Sequence, residues 1–190
     1  IVATPFVTAL LAASFPANAR NSEAWLSGGL TLSLLALTIA FYPQIADGGV
    51  VRYEIEWLPS LGLNLIFRMD GFAWLFCILI TGIGFLVVLY TRYYMSPKDP
   101  VPRFFAFLLA FMGAMLGLVT SGNIIQLAIF WELTSVISFL LIGYWYHRSD
   151  ARDGARMALI VTATGGLALF VGLLIIGHIV GSYDLDVILA

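Results

Sequence analysis

Four runs without a charged side chain, residues 24–46, 71–91, 104–131 and 157–183, constrain the fold of this chain more than any other feature. Each reaches or exceeds the roughly 20 residues that a helix needs to cross about 30 Å of hydrocarbon. Composition agrees: 61% of residues are hydrophobic and 11% charged, where soluble domains carry about 25% charged residues. The sequence is that of an integral membrane protein. A net charge of −2 says little, because most of the surface faces lipid. The single Cys77 excludes an intrachain disulfide, and no Cys/His spacing points to a metal or haem site, so no metal, cofactor or redox chemistry is expected.

The first apolar stretch, residues 1–15, has no basic region before it and does not read as a signal peptide. It predicts a short first helix, ended by Pro16 and the polar group Asn18, Arg20, Asn21 and Ser22. Together with the hydrophobic end of the chain it points to a piece of a longer polypeptide. Ser22 and Glu23 open a second helix over 24–42, stopped by Pro43 and Asp47-Gly48-Gly49. From Val50 the period changes to two: Val51, Tyr53, Ile55 and Trp57 alternate with Arg52, Glu54 and Glu56, and Leu63, Leu65 and Phe67 alternate again beyond the turn signal Pro59-Ser60-Leu61-Gly62. This predicts a half-buried β-hairpin over 50–69, which needs a neighbour to pack on.

Asp70 is placed to cap a third helix over 71–94, whose Tyr90, Tyr93 and Tyr94 fit an interfacial aromatic belt. After the loop 95–102, the stretch 104–146 is too long for one crossing, and Ser121-Gly122-Asn123 divides it into helices over 103–120 and 123–146. Gly113 and Gly117 give the fourth helix a small face for close packing. A sixth helix is predicted over 153–180, with Ala158, Thr162 and Gly166 as another small face. The expected fold class is an all-α membrane protein, a single transmembrane region of about six helices with an extracytoplasmic β-hairpin between helices two and three.

If successive loops alternate sides, one side holds Arg20, Arg92, Lys98, Arg103, Arg148, Arg152 and Arg156 and the other only Arg52 and Arg68. Basic residues stay cytoplasmic, so the hairpin is expected outside and the loops after helices three and five inside a cell membrane.

One ionisable group remains deep in an apolar helix: Glu132. An acid there costs about 2.5–3.5 kcal/mol on insertion scales and is a functional candidate by default. Two readings stand. It is either a structural acid hydrogen-bonded to a neighbouring helix, or a carboxyl that takes up and releases protons in a wet pocket. A carboxyl out of water binds its proton more tightly and a nearby cation loosens it, so a movable partner turns such a group into a relay. Ser135, one turn on, with Thr134 and Ser138, could line a polar path; equally, these hydroxyls can bond back to their own helix. His178 near the outer end of helix six is either an interfacial histidine or a step in a proton exit path. Arg152 and Arg156, at i and i+4, are topogenic charges or a contact for a partner or an inner half-channel. No basic residue lies at the depth of Glu132, so its counter-charge must come from sequence beyond this segment or from another protein of a complex. No phosphate loop, nucleophilic set or nucleic-acid patch is present.

The stretches FWELTSVISFLLIGYW (130–145), EWLPSLGLNLIFRMDGFAWLF (56–76) and GARMALIVTATGGLALFVG (154–172) resemble the N-terminal part of the A-type component of the multisubunit Mrp-type sodium/proton antiporter. That family is related to the antiporter-like membrane subunits of respiratory NADH:quinone oxidoreductase, with which it shares the W-E-x-x-S core. The resemblance implies a secondary transporter component rather than an enzyme, in a hetero-oligomeric complex that exchanges sodium ions for protons. It implies that Glu132 acts with a lysine on a later, broken helix, and that the chain holds the opening part of an inverted repeat. A pumping subunit of an NADH dehydrogenase and a non-transporting assembly scaffold are the alternatives. No nucleic-acid partner is expected.

Overall fold

The computed structural model describes residues 1–16, 19–58, 63–96 and 99–190; the expected turn at Pro59–Gly62, Asn18 and Lys98 lie outside the described residues. Among the described residues five helical segments are long and apolar enough to span a bilayer: Arg20–Ile45, Gly71–Tyr94, Val101–Val119, Ile124–Ile142 and Ser149–Val180. The six expected helices all form, and the first of them is the short one. The first helix, α1, runs only Ala3–Ala13, about 16 Å at the usual rise and half of what a crossing needs.

Of the longer helices, α2 covers Arg20–Ala40 and is followed by one short turn, α3, Tyr42–Ile45, which Pro43 opens. The hairpin is β1, Val51–Leu58, and β2, Leu63–Met69. Then come α4 (Gly71–Tyr94), α5 (Val101–Val119), α6 (Ile124–Ile142), α7 (Ser149–Val180) and a short α8 (Leu185–Leu189). With 32 residues, α7 starts earlier than the polar run at its N-terminus suggests and is about 48 Å long, beyond the hydrocarbon thickness.

The centre of the bundle is α5, with Phe105, Leu109 and Leu116 fully buried. Lipid is as apolar as these side chains, so close backbone approach rather than water exclusion decides the packing. Gly113 and Gly117 supply it, to two different neighbours. A Cβ at 113 would lie 2.9 Å from Phe6 Cε2 of α1, and one at 117 would overlap the Phe130 ring of α6. On the far side α2 packs on α4, and its buried residues Glu23, Ser27, Thr31, Leu34 and Thr38 form a stripe at helical spacing. The Trp74 indole N–H donates to the Thr38 carbonyl at 2.6 Å.

β1 and β2 pair antiparallel, with Arg52 opposite Arg68 and Tyr53 opposite Phe67. The expected half-buried β1 does not form: Tyr53 and Trp57 are 66% and 56% exposed. The reason is that β2, not β1, docks on the helix ends. The Ile66 N–H donates to Gln126 Oε1 at 2.8 Å, the Gly122 N–H to the Ile66 carbonyl at 2.7 Å, and the Arg68 N–H to the Thr120 carbonyl at 2.7 Å. A side chain at Gly122 would meet Ile66 Cγ2 at 2.5 Å, so the turn between α5 and α6 admits only glycine without rearrangement. The open edge of β2 is thereby covered.

Two arginines of the hairpin lock it to the corner between α7 and α8. Arg52 bridges Asp184 and Asp186, each at 2.6 Å, and Arg68 Nε meets Asp186 at 2.6 Å while its other arm reaches Asp70. Asp70 also caps α4, accepting from the Ala73 N–H at 2.8 Å as its position in the sequence predicts.

Candidate functional site

The Asn123 side chain starts α6 by accepting from the Ile125 and Gln126 N–H groups at 2.9 and 3.3 Å. From that fixed start the helix turns Phe130 into α5 and Glu132 into α7, since residues two apart point to nearly opposite sides. Glu132 is partly buried, and its Oε1 is shut off from solvent with no hydrogen-bond partner. Room for the carboxyl comes from Gly166 of α7. A Cβ there would overlap Oε1 and come within 2.9 Å of Cδ and 3.3 Å of Trp131 Cδ1. The small residues of helix seven thus do more than let helices approach: one of them makes the space that the acid fills.

Around it, the hydroxyls behave as the bland alternative predicts. Thr134 donates to the Trp131 carbonyl at 2.6 Å, and the buried Ser135 to the same carbonyl at 3.4 Å. Ser138 is partly buried farther along α6. His178 is exposed near the end of α7, about 18 Å along the helix from Gly166, and is not brought to Glu132. No ion pair is formed by Glu132 among the described residues, and no cluster of His, Cys, Asp and Glu fit to hold a metal occurs among them.

Above the acid, a cavity of about 420 Å³ runs from Arg68 and Asp70 past Leu118 and Leu127 to Trp131, the residue beside Glu132. Below it, a cavity of about 220 Å³ between α6 and α7 is lined by Arg103, Arg152 and Arg156, and Arg152 donates to the Tyr146 carbonyl at 2.8 Å. Outside the spans, the arginine network sets the charge states. Hydrogen bonding from Arg52 holds the Asp184 carboxyl below its ordinary range, Asn64 and then Arg52 do the same for Glu54, and the Asp184 and Glu54 carboxylates raise Arg52. Tyr144, buried beyond the end of α6, has its phenol pushed up to about 12 by burial.

Sequence patterning missed Glu23 as more than a helix start, although its spacing with Ser27 and Thr31 is plain in the chain. That the packed bundle buries this stripe depends on tertiary pairing. The roles of Asp184 and Asp186 as partners of the hairpin arginines, Arg52 being 132 and 134 positions away, were equally out of reach.

Two family models match. One described as "NADH-Ubiquinone oxidoreductase (complex I), chain 5 N-terminus" covers residues 57–105, and one described as "NADH:quinone oxidoreductase/Mrp antiporter, TM" covers 121–190. A probable K(+)/H(+) antiporter component of A/B type from Rhizobium meliloti is 61% identical over 189 residues, covering 100% of this chain and 19% of the relative. The A-type component of the Na(+)/H(+) antiporter of Alkalihalophilus pseudofirmus is 41% identical, covering 96% of the chain and 23% of the relative. Among solved structures, the Mrp complex from Dietzia sp. DQ12-45-1b superposes with a TM-score of 0.84 at 28% identity, covering 100% of this chain and 20% of that one. An archaeal membrane-bound sulfane sulfur reductase superposes at 0.78 and 19% identity, covering 97% of this chain and 28% of that one, which is a likeness of fold alone. The chain spans about a fifth of the length of these antiporter relatives.

Proposed function

We infer that this chain, which belongs to the family of A-type components of Mrp antiporters, works as part of a hetero-oligomeric membrane complex that exchanges a monovalent cation for protons. It is a multi-pass membrane protein and, with its antiporter relatives, belongs among transporters rather than enzymes. Glu132 is the acid that receives and passes on the proton. The observation that carries this is the placement of its Oε1, out of solvent and without a partner, in a space that Gly166 keeps open. A carboxyl so placed has a vacant hydrogen-bonding position, open to a proton, a water or a cation that reaches it. The cation is a lysine or arginine supplied by the rest of the polypeptide or by another protein of the complex. Thr134, Ser135 and Ser138 furnish hydroxyl oxygens that can still accept from water, and His178 stands at the outer end of the proton route.

The exchanged ion is sodium, or potassium as in the name of the Rhizobium relative. The hairpin faces outward and the arginine-rich ends of α6 and α7 face the cytoplasm, a reading supported by the distribution of basic residues. The alternative of a pumping subunit in an NADH dehydrogenase is less favoured, because the Rhizobium and Alkalihalophilus relatives, which cover nearly the whole of this chain, are named as antiporter components.

The test is Glu132→Gln in the intact complex, assayed in inside-out vesicles. The expected result is normal assembly with cation-dependent proton flux reduced at least tenfold. Normal flux with normal assembly would leave the chain as a scaffold.

A further inference from the structure

Glu23 is 0% exposed at the start of α2, and both of its carboxyl oxygens are buried with no hydrogen-bond partner. The Ser27 hydroxyl, one turn on and on the same face, is also fully buried and unpartnered. Among the described residues, the cations of the surrounding elements are turned to other partners. Arg20 donates to the Met95 carbonyl at 3.0 Å. Arg92 of α4 lies over the Trp25 ring at 5.5 Å. Arg103 of α5 lies over the rings of Phe107, Tyr144 and Tyr146, and α1 carries no ionisable side chain. The other hydroxyls of the seam are committed to their own helices: Thr31 to the Ser27 carbonyl, Thr38 to Leu34, and Thr91 to Val87.

We propose that Glu23 and Ser27 form a second proton-binding site, in the seam between α2 and α4, distinct from Glu132. A carboxylate there would stand as an unpaired ion in an apolar interior, whereas the acid needs only one acceptor, and Ser27 Oγ offers it. An alkali cation is a worse occupant. Hard cations gather about six oxygens, and among the described residues the unpartnered side-chain oxygens of this stripe are the two of Glu23 and the one of Ser27. Glu23 lies in the first turn of α2, so its proton has a short path to water at that membrane face, and its release would charge the seam and weaken the pairing of α2 with α4. The site is independent of what Glu132 does.

The experiment is pH-difference infrared spectroscopy on the purified full complex, comparing wild type, Glu23→Gln and Ser27→Ala. The expected result is a carboxylic-acid carbonyl band in the wild type that is lost in Glu23→Gln. It should fade as the buffer is made alkaline and ignore replacement of sodium or potassium by choline. In Ser27→Ala the same band should move to higher frequency as its hydrogen bond is lost. Coincident wild-type and Glu23→Gln spectra at every pH would overturn the proposal, as would a band displaced by sodium or potassium at fixed pH. If Glu23→Gln does not assemble, an unshifted band in Ser27→Ala overturns it by itself.

Discussion

The carboxyl of Glu132 on α6 occupies the volume that a side chain at residue 166 on α7 would need, so the acid and the glycine are packed as one unit. Gly166→Ala must therefore push the carboxyl aside or spread the two helices. Overpacking of this kind costs about 1–3 kcal/mol. The expected outcome is an assembled complex with flux lowered to a degree approaching that of Glu132→Gln. Gly165→Ala, where a Cβ meets nothing within 4 Å, should be silent in the same vesicle assay.

Gln126 holds the hairpin through a single bond to the Ile66 N–H, and both groups are buried. Gln126→Leu leaves that N–H unsatisfied at about 1–3 kcal/mol. Hydrogen exchange should accelerate at Ile66 and its β2 neighbours, while protection within α4 stays unchanged.

The clamp of Arg52 on Asp184 should fail in acid and hold at neutral pH. Asp184 is held below its ordinary value of 3.8 in the folded chain, so its contribution is fully present above about pH 4 and is lost as pH falls through the depressed value. Limited proteolysis of the hairpin should be constant from about pH 7 to 5 and rise below about 4. Arg52→Ala should give that sensitivity already at neutral pH.

Gly117 receives the ring of Phe130, and Gly113 that of Phe6. Gly117→Val should destabilise the contact between α5 and α6 by about 1–3 kcal/mol or more, read as a lower melting temperature of the purified complex. Phe130→Ala in the same background should restore part of the loss, because it removes the clashing ring.

Much of this architecture is legible in the residue order because its signals are local. Charge-free runs, the Asp70 cap, the break at Ser121-Gly122-Asn123 and the change of period at Val50 each act over a few positions. Glu132 stands out for the same reason, being the lone acid in an apolar helix. What stays hidden depends on partners distant in the chain. Tyr53 and Trp57 alternate as a half-buried strand would, yet β1 lies outboard because β2 takes the docking bonds from Gln126 and the residues around Gly122. Gly166 reads as one small residue in a face, and only its pairing with α6 makes it the seat of the carboxyl. Glu23 resembles an ordinary first-turn acid until the packed bundle buries it.

Between Thr120 and Ile124 the backbone takes bonds from Arg68 and Leu185 and gives them to Ile66 and Tyr183, so strand, helix ends and the α7–α8 corner are spliced at one point. At the other end the short connection from Gly143 to Arg148, with Arg152 bonded to the Tyr146 carbonyl, joins α6 to α7 again. The two helices are tied at both tips, so freedom between them is greatest midway, where Glu132 meets Gly166.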